Sequence, residues 1–367
     1  MGIGSALYEG PKRLIFSALN RATKTSPATP TYVLGFSNWK QYLRSYFPDR
    51  DLYFLPKDIT SQGFEELWAQ KILKQSRAEF FVWGYKAPSF LLDFAKANNK
   101  PIRYVEDGFI RSVQLGASHA PARSLTLDVQ TPYFNAKQPS DLEDILKHYD
   151  FAANPALIVR AKNAISEMLR LGVSKYNCSS PVDMEALYGS KSGKRVLVIG
   201  QVEDDASIVM GCETPFTNNA LVRLAVAENP DAQVIYKPHP DVMSGKRALQ
   251  SNPADVKSIC LVVKKDIPLP LSFYEVDHVY TITSLAGFEA LLRGIKVTTV
   301  GCPFYSGWGV TDDRQSNTRR GRKLSVPEIF AGAYLLYAKY FDLASGKQIE
   351  HEDVGRLQDL SATRLLN

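Results

Sequence analysis

The sequence predicts an α/β protein of two lobes, and three observations carry that reading. In the first half YVLGF, DLYFLP, EFFVWG and PIRYVE alternate with helix-patterned stretches, the order of a parallel α/β sheet. In the second half KRVLVIG, QVIYKPHP and HVYTIT repeat the theme as short β-branched and aromatic strands. Between them NCSSPVDMEALYGSKSGK (177–194) concentrates Gly, Ser and Lys as an interlobe linker does.

The elements follow in order. Residues 1–25 mix Ile3, Leu7, Leu14, Ile15 and Leu19 with Lys12, Arg13, Arg21 and Lys24, a weak amphipathic pattern that suits either anionic lipid or a plain packing helix. SPATP (26–30) closes this leader, so the first lobe spans 31–185. LTLDVQTPYF adds further strands and 155–171 has the spacing of an amphipathic helix. The second lobe covers 186–325, and 326–367 form a terminal helix and a polar tail. The helix, read over 327–341, carries a stripe of Tyr334, Tyr337 and Tyr340 that reads as packing. No internal repeat is present.

Composition bounds the class. A chain of 367 residues holds two ordinary domains, and 45% hydrophobic with 22% charged residues belongs to a soluble globular protein. No 18-residue apolar run and no signal peptide is seen, so a cytoplasmic protein, or one peripheral to an inner membrane, is expected. Cys178, Cys212, Cys260 and Cys302 lack CxxC spacing, which argues against structural zinc and a disulfide scaffold. The net charge of +6 suits anionic partners such as nucleotides, acidic sugars and membrane surfaces. Arg314, Arg319, Arg320, Arg322 and Lys323 are the densest basic stretch, read as a solvated loop or as a cradle for a donor carboxylate or phospholipid. It has no interleaved aromatics, so nucleic acid is not an expected partner.

The chemistry concentrates at strand ends. HVYTIT followed by Thr283-Ser284 and the run Leu285, Phe288, Leu291, Leu292 reads as strand, cap and helix. A helix opening at Ser284 offers free N–H groups and a positive dipole end to a phosphate, and Glu289, about one and a half turns in, can accept from a ribose. QVIYKPHP ends in a turn whose prolines clamp His239, an imidazole placed to donate to a departing phosphate, with Lys237 adding charge. GQVEDDAS delivers Gln201, Glu203, Asp204 and Asp205 into a loop after a strand, and VEDGFIRS delivers Glu106, Asp107 and Arg111 after another. Either acidic loop alone reads most simply as solvated. Together with the phosphate elements they resemble the nucleophile and acid/base pair of glycosyl transfer.

These motifs, together with TSLAGFEALLRG, YSGWGVTDD, GFSNWK and VWGYK, give the chain between about 32 and 342 a resemblance to the bacterial capsule polysaccharide β-Kdo transferases of the KpsC type. The resemblance implies a GT-B-like fold of two Rossmann-type lobes, with a C-terminal helix crossing back to the first. It implies a CMP-β-Kdo donor, or that of a related ulosonic acid, and retention through a glycosyl-enzyme intermediate. It places the nucleophile at Asp205, with Asp204 second, the acid/base at Glu106, a phosphate contact at His239, and CMP binding at Ser284 and Glu289. Relatives of this type carry two such modules in tandem where this chain has one.

The implied chemistry is coherent. A ulosonic donor bears a carboxylate beside its anomeric carbon, so cations such as Arg111 are needed, and CMP leaves as a monoester that His239, Ser284 and a helix end can stabilise. No metal and no cofactor is therefore expected. The acceptor is a Kdo or sugar hydroxyl of a surface glycolipid or polysaccharide, and capsule assembly proteins are the expected partners. The competing readings are a UDP-sugar GT-B transferase or epimerase, which leaves the Asp205 loop without a role, and a non-catalytic polysaccharide-binding module, which needs neither acidic loop nor His239.

Overall fold

A computed structural model of the chain describes residues 28–111, 120–175, 182–245 and 250–354. The amphipathic leader, the first part of the interlobe linker and the end of the polar tail lie outside the described residues. The chain forms two compact units, one built from residues up to 108, 121–132 and 339–349, the other from 133–338 with 109–111 and 350–354.

The first unit is built on strands β1 (Thr29–Leu34), β2 (Arg50–Phe54), β3 (Glu79–Trp83), β4 (Ile102–Asp107) and β5 (Ser124–Asp128), joined late in the chain by β12 (Lys339–Phe341) and β13 (Gln348–Ile349). Their order is β13-β12-β5-β4-β3-β1-β2. Alternation along the strands sends Val33, Phe81, Trp83 and Val105 into one core and Tyr32, Leu34, Phe80 and Val82 into another. This is why the strands read as continuous apolar runs: both faces are covered. The four strands expected to be parallel are so, but β5 runs antiparallel to β4 and β12 antiparallel to β5. The sheet is therefore mixed.

The second unit holds β6 (Arg195–Ile199), β7 (Gln233–Lys237), β8 (Leu261–Val262), β9 (His278–Thr281), β10 (Lys296–Thr299) and β11 (Asp312–Asp313) in the order β11-β10-β9-β6-β7-β8, every pair parallel. One of its cores joins Val196, Val198, Tyr236 and Tyr280 to Leu221, Val222 and Ala225 of helix Asn218–Glu228.

Three expectations are corrected. The terminal helix begins at Val326 behind a Ser325/Glu328 capping box, continues as a π-helical segment Ala331–Tyr337 and stops there. Residues 339–341 are spent on β12, because the unpaired side of β5 takes them: Lys339 pairs with Leu125 and Tyr340 with Ser124. The chain thus crosses back to the first sheet, and Tyr334, Tyr337 and Tyr340 are all buried. The second half of the expected linker is a helix, Met184–Tyr188, capped by Asp183 and tied to the second unit where the Tyr188 hydroxyl donates to the Ser272 carbonyl at 3.0 Å. Residues 133–175, grouped by sequence with the first lobe, cluster with the second unit, because helices Asp141–His148 and Pro155–Leu171 pack on the terminal helix.

Much of the basic stretch is engaged in pairing within the second unit. Glu143 is 4% exposed, and both Arg319 (Nε to Oε1, 2.6 Å) and Arg320 (Nε to Oε2, 2.9 Å) close on it. Arg314 bridges Glu228 and Asp312, and Arg322 donates to the Tyr149 carbonyl. A buried carboxylate demands paired charge, and the arginines supply it.

Candidate functional site

The second unit gathers most of the expected site at the C-terminal ends of three neighbouring strands, β9, β6 and β7, the edge where open α/β sheets bind ligands. After β9, Ser284 caps helix Leu285–Leu292, its hydroxyl accepting from Ala286 N at 3.2 Å. The expected row of free N–H groups is partly used: Thr283 N donates to Gln201 Oε1 (2.8 Å) and Ser284 N to Thr281 Oγ1 (3.2 Å). What this end presents to an anion is its dipole and the Ser284 hydroxyl.

Gln201, expected to touch the donor, is 7% exposed and works inward. Its Nε2 also donates to Thr283 Oγ1 (3.1 Å), while its backbone N–H and carbonyl are held by the Asn218 side chain at 2.9 and 2.8 Å. It pins the loop after β6 to the start of the phosphate helix. Glu203 is likewise occupied, accepting from Asn218 N, Ser251 N and Ser251 Oγ. Gln201, Glu203, Asn218 and Ser251, with Tyr236 and His239, line a small cleft.

Asp205 is exposed and caps helix Ala206–Gly211, accepting from Ser207 N at 2.9 Å; Asp204 beside it is also exposed. After β7, His239 Nδ1 accepts from Asp241 N at 3.2 Å. An Nδ1 that accepts leaves the proton on Nε2, so the neutral ring turns a donor toward its other side. Burial holds the imidazole below its ordinary pKa; the charge of Asp241 opposes this, Lys237 adds to it, Asp205 opposes it and Lys175 adds to it. Asp205 therefore lies within electrostatic reach of His239. Lys237 is half-buried and its pKa is lowered by burial, with Asp266 opposing.

Glu289 is 2% exposed. Its Oε1 accepts from Ser174 Oγ (2.8 Å) and Lys175 N (3.3 Å), and its Oε2 has no hydrogen-bond partner among the described residues. Burial raises its pKa, with the Ser174 hydrogen bond opposing. Arg111 is 1% exposed, and its backbone N–H donates to the Lys175 carbonyl at 3.1 Å. Half-buried Lys175 and Lys237 are more open to a solvent-borne carboxylate than Arg111 is.

Ser174 and Lys175 escaped sequence reasoning, as did Tyr305. The Tyr305 hydroxyl donates to the Ser284 carbonyl at 2.5 Å, and a Cβ on Gly287 would overlap it, so YSGWG supports the phosphate helix from beneath. The glycine at Gly287 was the available signal. In the first unit, Glu106 and Asp107 end β4, and Glu106 lies against Gly84. Among the described residues, no group of three or more His, Cys, Asp or Glu side chains is placed to hold a metal ion, and no helix is long and apolar enough to cross a membrane.

The profile of a family described as capsule polysaccharide biosynthesis protein matches residues 159–343, half of the chain. The chain belongs to that family. It is 49% identical over 322 residues to the lipopolysaccharide-processing protein LpsZ of Rhizobium meliloti, covering 87% of this chain and 72% of LpsZ. It is 36% identical over 330 residues to the capsule polysaccharide modification protein LipA of Neisseria meningitidis, covering 89% of this chain and 45% of LipA. Among solved structures, the β-Kdo 2,4 transferase of Thermosulfurimonas dismutans KpsC superposes with a TM-score of 0.74 at 30% identity, over 90% of this chain and 98% of that one. The β-Kdo 2,7 transferase of the same KpsC gives 0.71 at 32% identity, over 90% and 99%. The fold is therefore the two-lobed, GT-B-like one, and these matches support glycosyltransferase activity in capsule polysaccharide biosynthesis.

Proposed function

We propose that the chain is a retaining glycosyltransferase that moves Kdo, or a related ulosonic acid, from its CMP-activated form to a sugar hydroxyl of a surface glycolipid or polysaccharide. The observation that supports it most is the convergence of Asp205, His239 and Ser284 on the ends of three adjacent strands of one unit. A carboxylate, a neutral imidazole donor and a capped helix end are what a leaving phosphate beside a trapped sugar cation requires.

In the first step an Asp205 oxygen forms a bond to the anomeric carbon as the carbon–oxygen bond to phosphate breaks and CMP leaves with the electron pair. Neutral His239 donates from Nε2 to a phosphate oxygen, and Ser284 with its helix dipole meets the same charge. Glu289 is assigned a ribose hydroxyl at Oε2, a buried oxygen with no hydrogen-bond partner among the described residues. Lys237 and Lys175 balance the two donor anions. In the second step the acceptor hydroxyl attacks the anomeric carbon, its proton passes to Glu106, and the Asp205 carboxylate is released. No step calls on a metal ion. Asp205 is preferred to Asp204 because its charge acts on His239.

The test is intact-protein mass spectrometry after CMP-Kdo is generated in situ without acceptor. Wild type should gain one Kdo-sized mass and Asp205→Asn should not. Loss of the adduct in Asp204→Asn alone would move the nucleophile by one residue. No adduct and no CMP release, even with a Kdo-terminated acceptor, would end the Kdo reading.

A further inference from the structure

Glu289 lies in the helix capped by Ser284, yet it is shut away from solvent. Its Oε1 is taken by Ser174 Oγ at 2.8 Å and Lys175 N at 3.3 Å, and its Oε2 is buried with no hydrogen-bond partner among the described residues. A buried carboxylate oxygen without a donor is costly, so the free protein keeps this group incompletely satisfied. What covers it is a short stretch of chain. Helix Pro155–Leu171 ends at Gly172, whose φ of 63° turns the backbone out of the helix while Val173 N donates back to the Met168 carbonyl. A Cβ on Gly172 would meet nothing within 4 Å, so the turn is open on that side. The next two residues are laid on Glu289, with the Lys175 carbonyl accepting from Arg111 N at 3.1 Å. The charge of Lys175 reaches Glu289 and His239 alike, beneath the larger effect of burial on each. Lys175 is thus tied by its backbone to the group assigned to a ribose and lies within electrostatic reach of the group assigned to the phosphate of the same nucleotide.

We propose that Ser174 and Lys175 form a latch: in the free protein the Ser174 hydroxyl and the Lys175 N–H hold the place on Glu289 that the ribose hydroxyls of a nucleotide take, and the nucleotide must lift them to bind. Two ribose hydroxyls supply a donor to each carboxylate oxygen, where the latch supplies donors to Oε1 alone. Whatever else Ser174 and Lys175 touch, these two bonds are the ones a ribose has to replace. A latch of this kind weakens the apparent affinity by the fraction of molecules in which it is open, and so sets how much nucleotide the protein holds. The inference rests on the nucleotide reading above and adds a competitor for the ribose from within the chain.

The experiment measures CMP binding by isothermal titration calorimetry on wild type and Ser174→Ala, and amide hydrogen exchange over 172–175 with and without CMP. Removing the Ser174 hydroxyl weakens the latch and leaves the ribose contacts in place, so Ser174→Ala should bind CMP about three- to tenfold more tightly, the worth of one hydrogen bond. The 2′,3′-dideoxy form of CMP, which has no hydroxyl to offer Glu289, should show no such gain. In wild type, CMP should speed exchange at Lys175, whose N–H leaves Glu289; a segment that only supports the site would be protected instead. Wild-type or weaker CMP affinity in Ser174→Ala, an equal gain with the dideoxy nucleotide, or slower exchange at Lys175 with CMP overturns the latch. If Ser174→Ala does not fold, the exchange measurement on wild type decides alone. No binding of CMP by either protein overturns the nucleotide reading itself, a result distinct from binding that the substitution leaves unchanged.

Discussion

Replacing Gln201 by Ala removes a side chain that ties the loop carrying Asp205 to the helix that begins at Ser284. The Thr283 N–H, in a residue 8% exposed, loses its acceptor at 2.8 Å, and Thr283 Oγ1 loses a donor at 3.1 Å. A buried donor left unsatisfied costs about 1–3 kcal/mol and a second lost hydrogen bond about 0.5–1.5 kcal/mol, so the variant should be destabilised by about 2–4 kcal/mol. For a unit of this size that corresponds to a fall in Tm of about 5–15 °C. The assay is a thermal melt with and without CMP. At a hundredfold excess over Kd the nucleotide should add about 2.7 kcal/mol to wild type, and the variant should lose most of that gain at the same concentration. Gln201→Glu keeps an acceptor for Thr283 N and should suffer less. A Gln201→Ala protein that melts within about 2 °C of wild type, stabilised equally by CMP, would refute the role assigned to the amide.

Glu143→Gln should be among the most damaging single changes, because it leaves Arg319 and buried Arg320 without their shared carboxylate; a loss of about 3–5 kcal/mol in urea unfolding is expected, with activity lost only through stability. His278 and His351, both buried, titrate at about 4, below the ordinary value near 6.5. A histidine whose folded pKa is depressed gives its full contribution above the unfolded value, so stability should hold above about pH 6.5 and drain as pH falls toward about 4. His239, lowered in the same direction, adds to the trend. Urea midpoints at pH 7.5 and 4.5 check this, and His278→Gln should narrow the gap between them; an unchanged gap would exclude His278 as a contributor.

Much of this was legible because strand ends advertise themselves. β-branched runs broken by Gly200, by the Pro-His-Pro turn and by Thr283-Ser284 announce both the strands and the polar groups they deliver, and Ser284, His239 and Asp205 stand where that pattern puts them. What the pattern does not tell is how far a polar side chain is turned inward. Gln201, Glu203 and Arg111 look like ligand contacts in one dimension, and burial with long-range partners makes the first two struts of the site wall. The basic stretch misled for the same reason: its partner, Glu143, lies more than 170 residues away. Antiparallel β5 and the conversion of residues 339–341 from helix to strand also depend on a non-local partner, and helix propensity in AGAYLLYAKYF carries no word of it.

The strand β12 has a consequence for how the protein is made. Residues 339–349 belong to the first sheet, though they are synthesised after nearly all of the second unit. As the chain leaves the ribosome, the first sheet must therefore wait with β5 uncovered, an edge able to pair with a neighbouring chain, until the second unit has emerged. Cutting at the linker would yield two fragments, neither complete, whereas a fragment ending at Ala338 would keep the donor-binding groups and still expose that edge. Expression trials on single lobes should therefore meet aggregation first, and supplying residues 339–354 as a peptide should relieve it.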